Sequence, residues 1–297
     1  MAMTQLALWG IDHEVQTPVV NVAQIPQRSP FRYPGGKTWL VPQVRKWLGS
    51  IPTRPTLFVE PFVGGGIVSL TVAFENLADH VLMVELDNDV AAVWQTMLSD
   101  DNDWLAERVV SFDLTHAAVQ EELAKTPREP RHLAFQTILR NRTLHGGILA
   151  PGSGLLKYGE NGKGIKSRWY PETLRKRIQN IKFVREKITF IQDDGIETVK
   201  KYASSKTSAF FIDPPYTAAG KRAGSRLYTH SELDHGKLFE ECRKIQGDFL
   251  MTYDTADEVV AMAKKQDFEV DLVSMKNTHH STMQELVIGR NLSWITP

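Results

Sequence analysis

Residues 56–74 have the sequence TLFVEPFVGGGIVSLTVAF, in which a short apolar run ends at Glu60 and a glycine cluster, 64–66, precedes a second apolar run. The first run, Thr56–Glu60, has the length and composition of a buried strand, and the second has apolar residues at the three- and four-residue steps of a helix. Glycines there allow a ligand to approach the backbone at the carboxyl end of a strand, where α/β sheets bind ligands. The stretch therefore predicts an α/β fold with a ligand site, although the glycines alone also fit a tight structural turn.

Other short apolar runs predict the remaining strands of the sheet. Most are separated by segments long enough for a crossover helix, which is the pattern of a parallel α/β sheet. The runs that we expect to form strands are His80–Glu85, Ile188–Gln192, Ala209–Asp213, Asp248–Tyr253, Phe268–Val273 and Gln284–Ile288.

The predicted strands His80–Glu85 and Ile188–Gln192 are separated by about a hundred residues, far more than a connection needs. We therefore predict an inserted subdomain at residues 94–187. Residues 29–93 and 188–297 would then form the main domain, and residues 1–28 an N-terminal extension.

The composition of the 297-residue chain is that of a globular protein, with 42% hydrophobic and 24% charged residues. Its single cysteine, Cys242, excludes a disulfide framework, and its cysteine and histidine spacing predicts no metal site. Its apolar runs are too short to span a membrane, and the first residues lack the pattern of a secretion signal. We expect a cytoplasmic protein without a membrane partner.

The net charge is zero, but the charges are distributed unevenly. Residues 75–125 contain twelve acidic and two basic residues, whereas residues 131–190 contain thirteen basic and three acidic ones. A basic third of a neutral chain can attract a polyanion to one face, because screening makes the local charge decisive. A solvated surface without a partner is the alternative interpretation.

The most specific stretch is Asp213-Pro214-Pro215-Tyr216, which directly follows an apolar strand. Two prolines fix the backbone and donate no hydrogen bonds, so the Pro214 carbonyl points in a set direction. This combination suits a planar amine: Asp213 and the Pro214 carbonyl would accept its two N–H bonds, and Tyr216 would stack on its ring. A plain strand-ending turn explains the stretch less well.

A second acidic position lies at the end of the second predicted strand. Glu85 directly abuts the strand, where a carboxylate commonly holds a ribose diol. Asp87 and Asp89 fit better as acidic residues at a helix start, where the helix dipole favours them.

Taken together, these motifs resemble the Dam-type, α-class N6-adenine DNA methyltransferases. That family has, in order, a Pro/Ala-Gly-Gly-Lys segment, Phe-x-Gly-x-Gly, an acid at a strand end, a target-recognition insert and Asp-Pro-Pro-Tyr. The chain has all five in this order, from Tyr33–Lys37 through Phe62–Gly66, Glu85 and the insert to Asp213–Tyr216. The resemblance implies a Rossmann-like methyltransferase fold, with a seven-stranded sheet that contains one antiparallel strand.

The resemblance also implies a role for individual residues. Asp213, Pro214, Pro215 and Tyr216 would be catalytic. The residues that would bind S-adenosylmethionine are Tyr33, Lys37, Glu60, Phe62, Gly64, Gly66, Glu85 and Asp194. The chain departs from the family at Gly195, since the family usually has an aromatic residue there that can stack on the cofactor; Ile196 is the candidate to replace it.

The insert mixes cations, amides and aromatic residues on Gly-rich turns, and Asn161-Gly162 is a hairpin-turn signal. A β-hairpin can enter the major groove of double-stranded DNA, where arginine contacts guanine. The candidate base-contacting residues are Arg140, Arg142, Lys157, Lys163 and Arg168. A later cluster at helical spacing would contact phosphates; it comprises Arg175, Lys176, Arg177 and Lys182.

The predicted reaction is transfer of a methyl group from S-adenosylmethionine to the N6 amine of adenine, which must be flipped out of the duplex to be reached. N4-cytosine methylation, methylation of an RNA or protein amine, and a catalytically idle nucleic-acid-binding protein of the same fold are the alternatives. A restriction–modification system is one possible setting. The recognition sequence and the oligomeric state do not follow from the chain.

Overall fold

The computed structural model describes residues 22–32, 36–147, 149, 153–159, 162–215, 233–276 and 282–295. Seven strands form one sheet. They are β1 (Leu57–Glu60), β2 (His80–Glu85), β3 (Ile188–Gln192), β4 (Ser208–Ile212), β5 (Asp248–Asp254), β6 (Glu269–Lys276) and β7 (Thr282–Gly289).

Helices connect these strands. In the described part of the chain they are α1 (Val41–Ser50), α2 (Ile67–Glu75), α3 (Asn88–Leu98), α4 (Asn102–Ser111), α5 (His116–Ala124), α6 (Pro130–Thr143), α7 (Pro171–Asn180), α8 (Gly195–Tyr202), α9 (His235–Arg243) and α10 (Asp257–Lys265). No described helix combines the length and the apolarity that crossing a membrane requires.

The sheet has the strand order β3-β2-β1-β4-β5-β7-β6. Strands β1 to β5 pair in parallel, and β7 pairs antiparallel with both of its neighbours, β5 and β6. The predicted α/β, Rossmann-like methyltransferase fold, with seven strands of which one is antiparallel, is therefore confirmed.

Both faces of the sheet are covered, as the continuous apolar runs require. In β4, Ala209 and Phe211 belong to one buried cluster and Phe210 and Ile212 to the other, because alternate side chains of a strand point to opposite faces. All five residues of β4 are buried, Ser208 included. The strand that leads to Asp213 is thus held rigidly in the centre of the sheet.

Two helices begin with acidic caps at the carboxyl edge of the sheet. The Asp87 carboxylate accepts hydrogen bonds from the backbone N–H groups of Asp89 and Val90 at the start of α3, so its predicted role at a helix start is confirmed. Asp194 accepts from Ile196 and Glu197 in the same way at the start of α8. Helix α1 has Pro42 in its first turn, where the missing N–H does no harm.

Strands β2 and β3 lie side by side in the sheet, although residues 86–187 separate them along the chain. That segment contains α3 to α7; α3 packs against β3 and α6, and α4 packs against α7. The predicted boundary of the insert at residue 94 lies within α3, so the division of the chain at 94 and 187 stays a prediction.

The hairpin prediction was wrong at its first half. Arg140 and Arg142 lie in the last turn of α6. Beyond that helix the described residues form a single antiparallel bridge, between Leu144 and Leu155, followed by a 3-10 turn. Asn161, the first residue of the predicted hairpin turn, lies outside the described residues. The later basic cluster was predicted at helical spacing, and residues 175–177 do lie in α7.

Candidate active site

Three strands bring polar side chains together at the carboxyl edge of the sheet. Strand β4 ends beside β5, with Ile212 paired to Met251, so Asp213 lies next to Thr252. The Thr252 hydroxyl donates a hydrogen bond of 2.8 Å to Oδ1 of Asp213. Strand β7 runs in the opposite direction and therefore begins at this edge, which places Glu285 opposite Asp254.

Lys37 joins these carboxylates from the segment that precedes α1. Its ammonium lies 3.0 Å from Oδ1 of Asp213 and 3.5 Å from Oε2 of Glu285, and the residue is only 2% exposed. Burial opposes the charge of Lys37, but Asp213 and Glu285 outweigh burial and raise the pKa of Lys37. Burial also raises the pKa of Glu285, to about 7, against the opposing effect of Lys37.

Glu60 lies behind this group at the end of β1 and is 3% exposed. Its carboxylate accepts a hydrogen bond of 2.8 Å from the backbone N–H of Ser69 in α2. Burial raises the pKa of Glu60 to about 8, and nearby Asp213 adds to this, while the Ser69 hydrogen bond opposes it. Glu60 therefore ties the end of β1 to helix α2 and holds a proton near neutral pH.

The glycine cluster forms a tight turn between β1 and α2. Gly64 and Gly66 have φ values of 43° and 60°, in the left-handed region that favours glycine. A Cβ on Gly66 would lie 2.5 Å from the ring of Trp94, whose indole N–H donates to the Gly64 carbonyl at 3.0 Å. Trp94 of α3 thus packs directly beneath the turn, which explains why side chains are excluded there.

Glu85, at the end of β2, joins the two neighbouring loops. Its carboxylate accepts hydrogen bonds from the backbone N–H groups of Gly64 (3.0 Å), Leu86 (2.9 Å) and Asp87 (3.0 Å). Desolvation raises the pKa of Glu85 to about 7, although these N–H donors counteract it. A carboxylate has about four acceptor sites, so one remains for a further donor. The ribose role of Glu85 stays a prediction.

The departure at Gly195 has a steric explanation. A Cβ at this position would lie 2.5 Å from the Phe62 ring and 2.5 Å from the Pro61 carbonyl oxygen. Phe62 therefore occupies the space into which a side chain at 195 would project. Ile196, the candidate replacement, is buried at 6% exposure, in the core on one face of the sheet.

The proline pair follows β4 without a break, Pro214 buried and Pro215 half-buried. Tyr216 and Tyr33, predicted to contact adenine and S-adenosylmethionine, lie outside the described residues. Among the described residues, no group of three or more His, Cys, Asp or Glu side chains is arranged to hold a metal ion.

The residues at the carboxyl edge fit S-adenosylmethionine. Its sulfonium and ammonium groups are cations, and each of the first four strands ends at or beside a carboxylate. The four acids are Glu60, whose pKa burial raises to about 8, Glu85 and Asp194, and Asp213 at the end of the site where the target amine is expected. The positive-φ turn at Gly64–Gly66 follows the first of them; Gly64 and Gly66 are buried and Gly65 is half-buried. Lys37 lies against Asp213 and Glu285, at the end of the site where the amine that accepts the methyl group is expected.

The predicted base-contacting residues differ in their surroundings. Arg142 is 4% exposed and its guanidinium donates to the Pro30 carbonyl, so its side chain is not available to a base edge in this structure. Arg140 pairs with Asp89 at 2.9 Å. Lys157 and Lys163 are exposed and Arg168 is half-buried, which leaves these three as candidates.

The expected phosphate-contacting cluster is also divided. Arg175 pairs with Glu172 at 2.7 Å, and Lys182 with Asp103 at 2.7 Å, so both charges are already compensated. Lys176 is exposed. Arg177 donates to the Ser29 carbonyl at 3.0 Å.

Three residues of the site were missed by the sequence analysis. Thr252 holds Asp213, and Glu285 contacts Lys37. A signal for Glu285 was present, because it is the only acidic residue in the predicted strand Gln284–Ile288. Asn141, 1% exposed, exchanges two hydrogen bonds with the Arg32 backbone, at 2.9 and 2.7 Å. Nothing in its sequence context distinguished this clamp from a base-contacting amide.

Strand order and site together define the class: an α/β methyltransferase whose acidic pocket lies at the carboxyl edge of the sheet. A family model of the D12 class N6 adenine-specific DNA methyltransferases matches residues 33–279. The chain therefore belongs to the D12 class N6 adenine-specific DNA methyltransferase family. It is a methyltransferase, and the family implies S-adenosylmethionine as the methyl donor and DNA as the substrate.

Relatives are distant. The type II methyltransferase M.MjaIII of Methanocaldococcus jannaschii is 24% identical over 229 residues, which cover 69% of this chain and 75% of that protein. The solved rRNA methyltransferase aviRa of Streptomyces viridochromogenes is 11% identical, with a TM-score of 0.37; the match covers 94% of this chain and 88% of the aviRa chain. An rRNA methylase of Streptococcus thermophilus is also 11% identical, with a TM-score of 0.37; the match covers 85% of this chain and 97% of that methylase. TM-scores this low carry no argument about function.

Proposed function

We propose that this chain is a Dam-type enzyme that methylates the N6 amine of a flipped adenine within a specific sequence of double-stranded DNA. The observation that carries the proposal is the position of Asp213. It follows a fully buried strand, is continued by two prolines, and is held on Oδ1 by Thr252 at 2.8 Å and Lys37 at 3.0 Å.

The chain's own residues would orient the amine. Its lone pair is delocalised into the adenine ring, which makes N6 a poor nucleophile. Hydrogen bonds from its two N–H groups to Asp213 and to the Pro214 carbonyl would turn the lone pair toward the methyl group. When bound, S-adenosylmethionine supplies that methyl group as an electrophilic sulfonium substituent. The gain would come from orientation and from the negative charge of Asp213 near a nitrogen that becomes positive.

The cluster around Asp213 would keep this carboxylate in place. Lys37 and Thr252 approach the same oxygen, and Glu285 contacts Lys37 from the other side. Asp213 is then preorganised, since it need not rotate when the base arrives. Tyr216 would stack on the flipped ring.

We further propose that residues 94–187 recognise the DNA sequence. The support is the exposure of Lys157, Tyr158 and Lys163 on one Gly-rich loop, where Tyr158 is 85% exposed. Exposed cations and an aromatic ring on one loop suit a polyanion that carries stacked bases. Arg168 would contribute from the following turn.

The proposal is tested by replacing Asp213 with alanine. We expect methyl transfer to DNA to fall by at least a hundredfold, while S-adenosylmethionine binding stays within a few-fold of the wild type, because Asp213 holds the amine and not the donor. Transfer of a radiolabelled methyl group measures the first quantity and calorimetry the second. Asp79→Ala is the control, since Asp79 precedes β2 at the opposite edge of the sheet. Turnover near the wild-type value in Asp213→Ala would refute the assignment.

A further inference from the structure

Glu285 is a buried carboxylate that has no direct role in the proposed reaction. It lies in β7, paired with Asp254 of β5, and is 7% exposed. Its Oε2 atom lies 3.5 Å from the Lys37 ammonium, at the outer limit of a hydrogen bond, and makes no shorter one with the described residues. A carboxylate that is removed from water with so few donors is costly, so its presence calls for an explanation.

Compensation of the Lys37 charge does not by itself explain Glu285. The Asp213 carboxylate already pairs with the Lys37 ammonium at 3.0 Å, so the buried lysine has an opposite charge beside it without Glu285. Asp254 stands directly opposite Glu285 in the register of β5 and β7, and like charges at opposite positions destabilise a sheet. The second carboxylate therefore gives the group of Lys37, Asp213 and Glu285 a net negative charge whenever Glu285 is ionised.

This net charge affects the amine that accepts the methyl group. In the proposed reaction Asp213 accepts a hydrogen bond from the amine, whose nitrogen becomes positive as the methyl group is transferred. Lys37 contacts the same carboxylate, and its positive charge opposes the charge that develops on the nitrogen. Glu285 contacts the same ammonium and offsets it, so that the negative charge of Asp213 stays available to the amine.

We propose that Glu285 is a positioning residue for methyl transfer, that it acts through Lys37, and that the transfer is fastest when Glu285 is ionised. The proposal rests on the proposed function, in which Asp213 holds the target amine. Glu285 itself contacts neither the base nor the methyl donor. It contributes to the fixed charges that the active site holds ready for the transition state.

The surroundings of Glu285 set the pH at which it ionises. The charged groups that face it are Lys37 from the segment before α1, Asp213 from the end of β4 and Asp254 from β5, whereas β6 places Val273 opposite it. Burial has the largest influence and raises the pKa of Glu285 to about 7; Lys37 opposes this rise, and Asp213 and Asp254 add to it. Glu285 is therefore mostly protonated about one pH unit below this value and mostly ionised about one unit above it.

The test is the rate of methyl transfer to DNA in a single turnover, measured with saturating S-adenosylmethionine and DNA between about pH 6 and 8.5. The wild-type rate should rise about tenfold as the pH passes through the range in which Glu285 ionises. Glu285→Gln resembles the protonated acid, so it should keep the low rate at every pH and show no such rise. Glu285→Asp keeps a carboxylate that titrates and should recover part of the rise.

Glu269→Gln is the matched control. Glu269 is exposed and lies in the neighbouring strand β6, at the end that pairs with Gly289 and is far from the active site. Its rate should show the same pH profile as the wild type. Glu285→Gln should bind S-adenosylmethionine and DNA within about twofold of the wild type, because Glu285 affects the transfer step and not the binding of either substrate.

A rise of wild-type size in Glu285→Gln would overturn the proposal, and so would an effect confined to the Kd of S-adenosylmethionine. If Glu285→Gln does not fold, the wild-type profile decides the matter, since a rate that stays constant through this pH range would also overturn the proposal. Failure of the proposed function has a different result: the wild-type protein would then transfer no methyl group to adenine in DNA at any pH.

Discussion

At the scale of single residues, the charge balance of the site depends on Lys37. One buried ammonium faces Asp213, Glu285 and Glu60, which would leave an excess of negative charge if all three were ionised. Burial raises the pKa of Glu60 to about 8 and that of Glu285 to about 7, so these two take up protons near neutral pH.

The raised pKa of Glu60 predicts a pH dependence of stability. In the folded protein Glu60 keeps its proton up to about pH 8, whereas the unfolded chain releases it near its usual value of 4.5. The stabilisation is therefore complete below the unfolded pKa and is lost as the pH rises through the folded one. Glu60→Gln should remove a decrease of up to about 1.4 kcal/mol per pH unit from the free energy of unfolding between pH 5 and 7.5.

Urea unfolding at several pH values measures this slope. Glu75→Gln serves as the control, because hydrogen bonds from Arg45 lower the pKa of Glu75, so it is ionised in both states across this window. A slope in Glu60→Gln identical to that of the wild type would show that Glu60 is not protonated in the fold.

Lys37 and Glu285 should be coupled energetically. Lys37→Met leaves buried carboxylates without their cation and should cost about 3–5 kcal/mol of stability. Glu285→Gln should be destabilising in the wild type but neutral or stabilising beside Lys37→Met, with a coupling of about 0.5–3 kcal/mol. Urea unfolding of the four proteins at pH 8, above the pKa of about 7 that Glu285 has beside Lys37, measures the cycle. Strictly additive changes would contradict the 3.5 Å contact between the two side chains.

At the scale of elements, helix α8 begins at a glycine because another element fills its space. The Phe62 ring and the Pro61 carbonyl lie where a Cβ of residue 195 would project. The family resemblance makes this glycine look like a loss of cofactor contact, whereas the structure shows a close fit between α8 and the loop after β1. The ring that fills the space beside residue 195 is that of Phe62.

Gly195→Ala should therefore destabilise the protein by about 1–3 kcal/mol, since the Pro61 backbone cannot move aside as a flexible side chain would. Gly49→Ala, in α1, is the matched control: nothing lies within 4 Å of its added Cβ, and it should raise stability by up to about 1 kcal/mol. Thermal unfolding of both variants measures the difference. A neutral Gly195→Ala would mean that α8 does not contact this loop as described.

The strands were predictable because buried parallel strands have a strong local signal. The run from Ala209 to Ile212 is apolar without interruption, and such a run is buried on both faces wherever it lies in a sheet. The segment after Thr143 has no such signal. Its glycines and cations fit a hairpin and a helix end equally well. Helix α6 continues through Arg140 and Arg142 because its apolar residues pack in the core and stabilise the helical conformation.

Site residues that belong to a sequence motif could be predicted. Site residues that are brought into place by pairing between distant strands could not. Asp213, Glu60 and Glu85 each end a strand, so their meeting at one edge follows from the fold. Thr252 and Glu285 reach that edge through the register of β5 and β7, and register depends on contacts between distant segments. The burial of Arg142 likewise results from a contact with Pro30, 112 residues away.

At the scale of the whole molecule, one short segment connects the glycine turn with helices α6 and α7. Residues 29–32 touch the glycine turn through Ser29 and the inserted helices through Asn141, Arg142 and Arg177. The acidic pocket and the basic insert therefore meet along this segment. Such an arrangement suits an enzyme that must place a cationic donor and a polyanionic substrate side by side, each against charges of the opposite sign.

This site is proposed to methylate the N6 amine of adenine in DNA. The most direct test is mass spectrometry of the nucleosides from unmethylated double-stranded DNA after incubation with the protein and S-adenosylmethionine, beside an RNA substrate and the Asp213→Ala variant. We predict N6-methyladenine in the DNA treated with the wild-type protein, and none with the variant or in the RNA. N4-methylcytosine in place of N6-methyladenine, or methylation of the RNA alone, would contradict the claim.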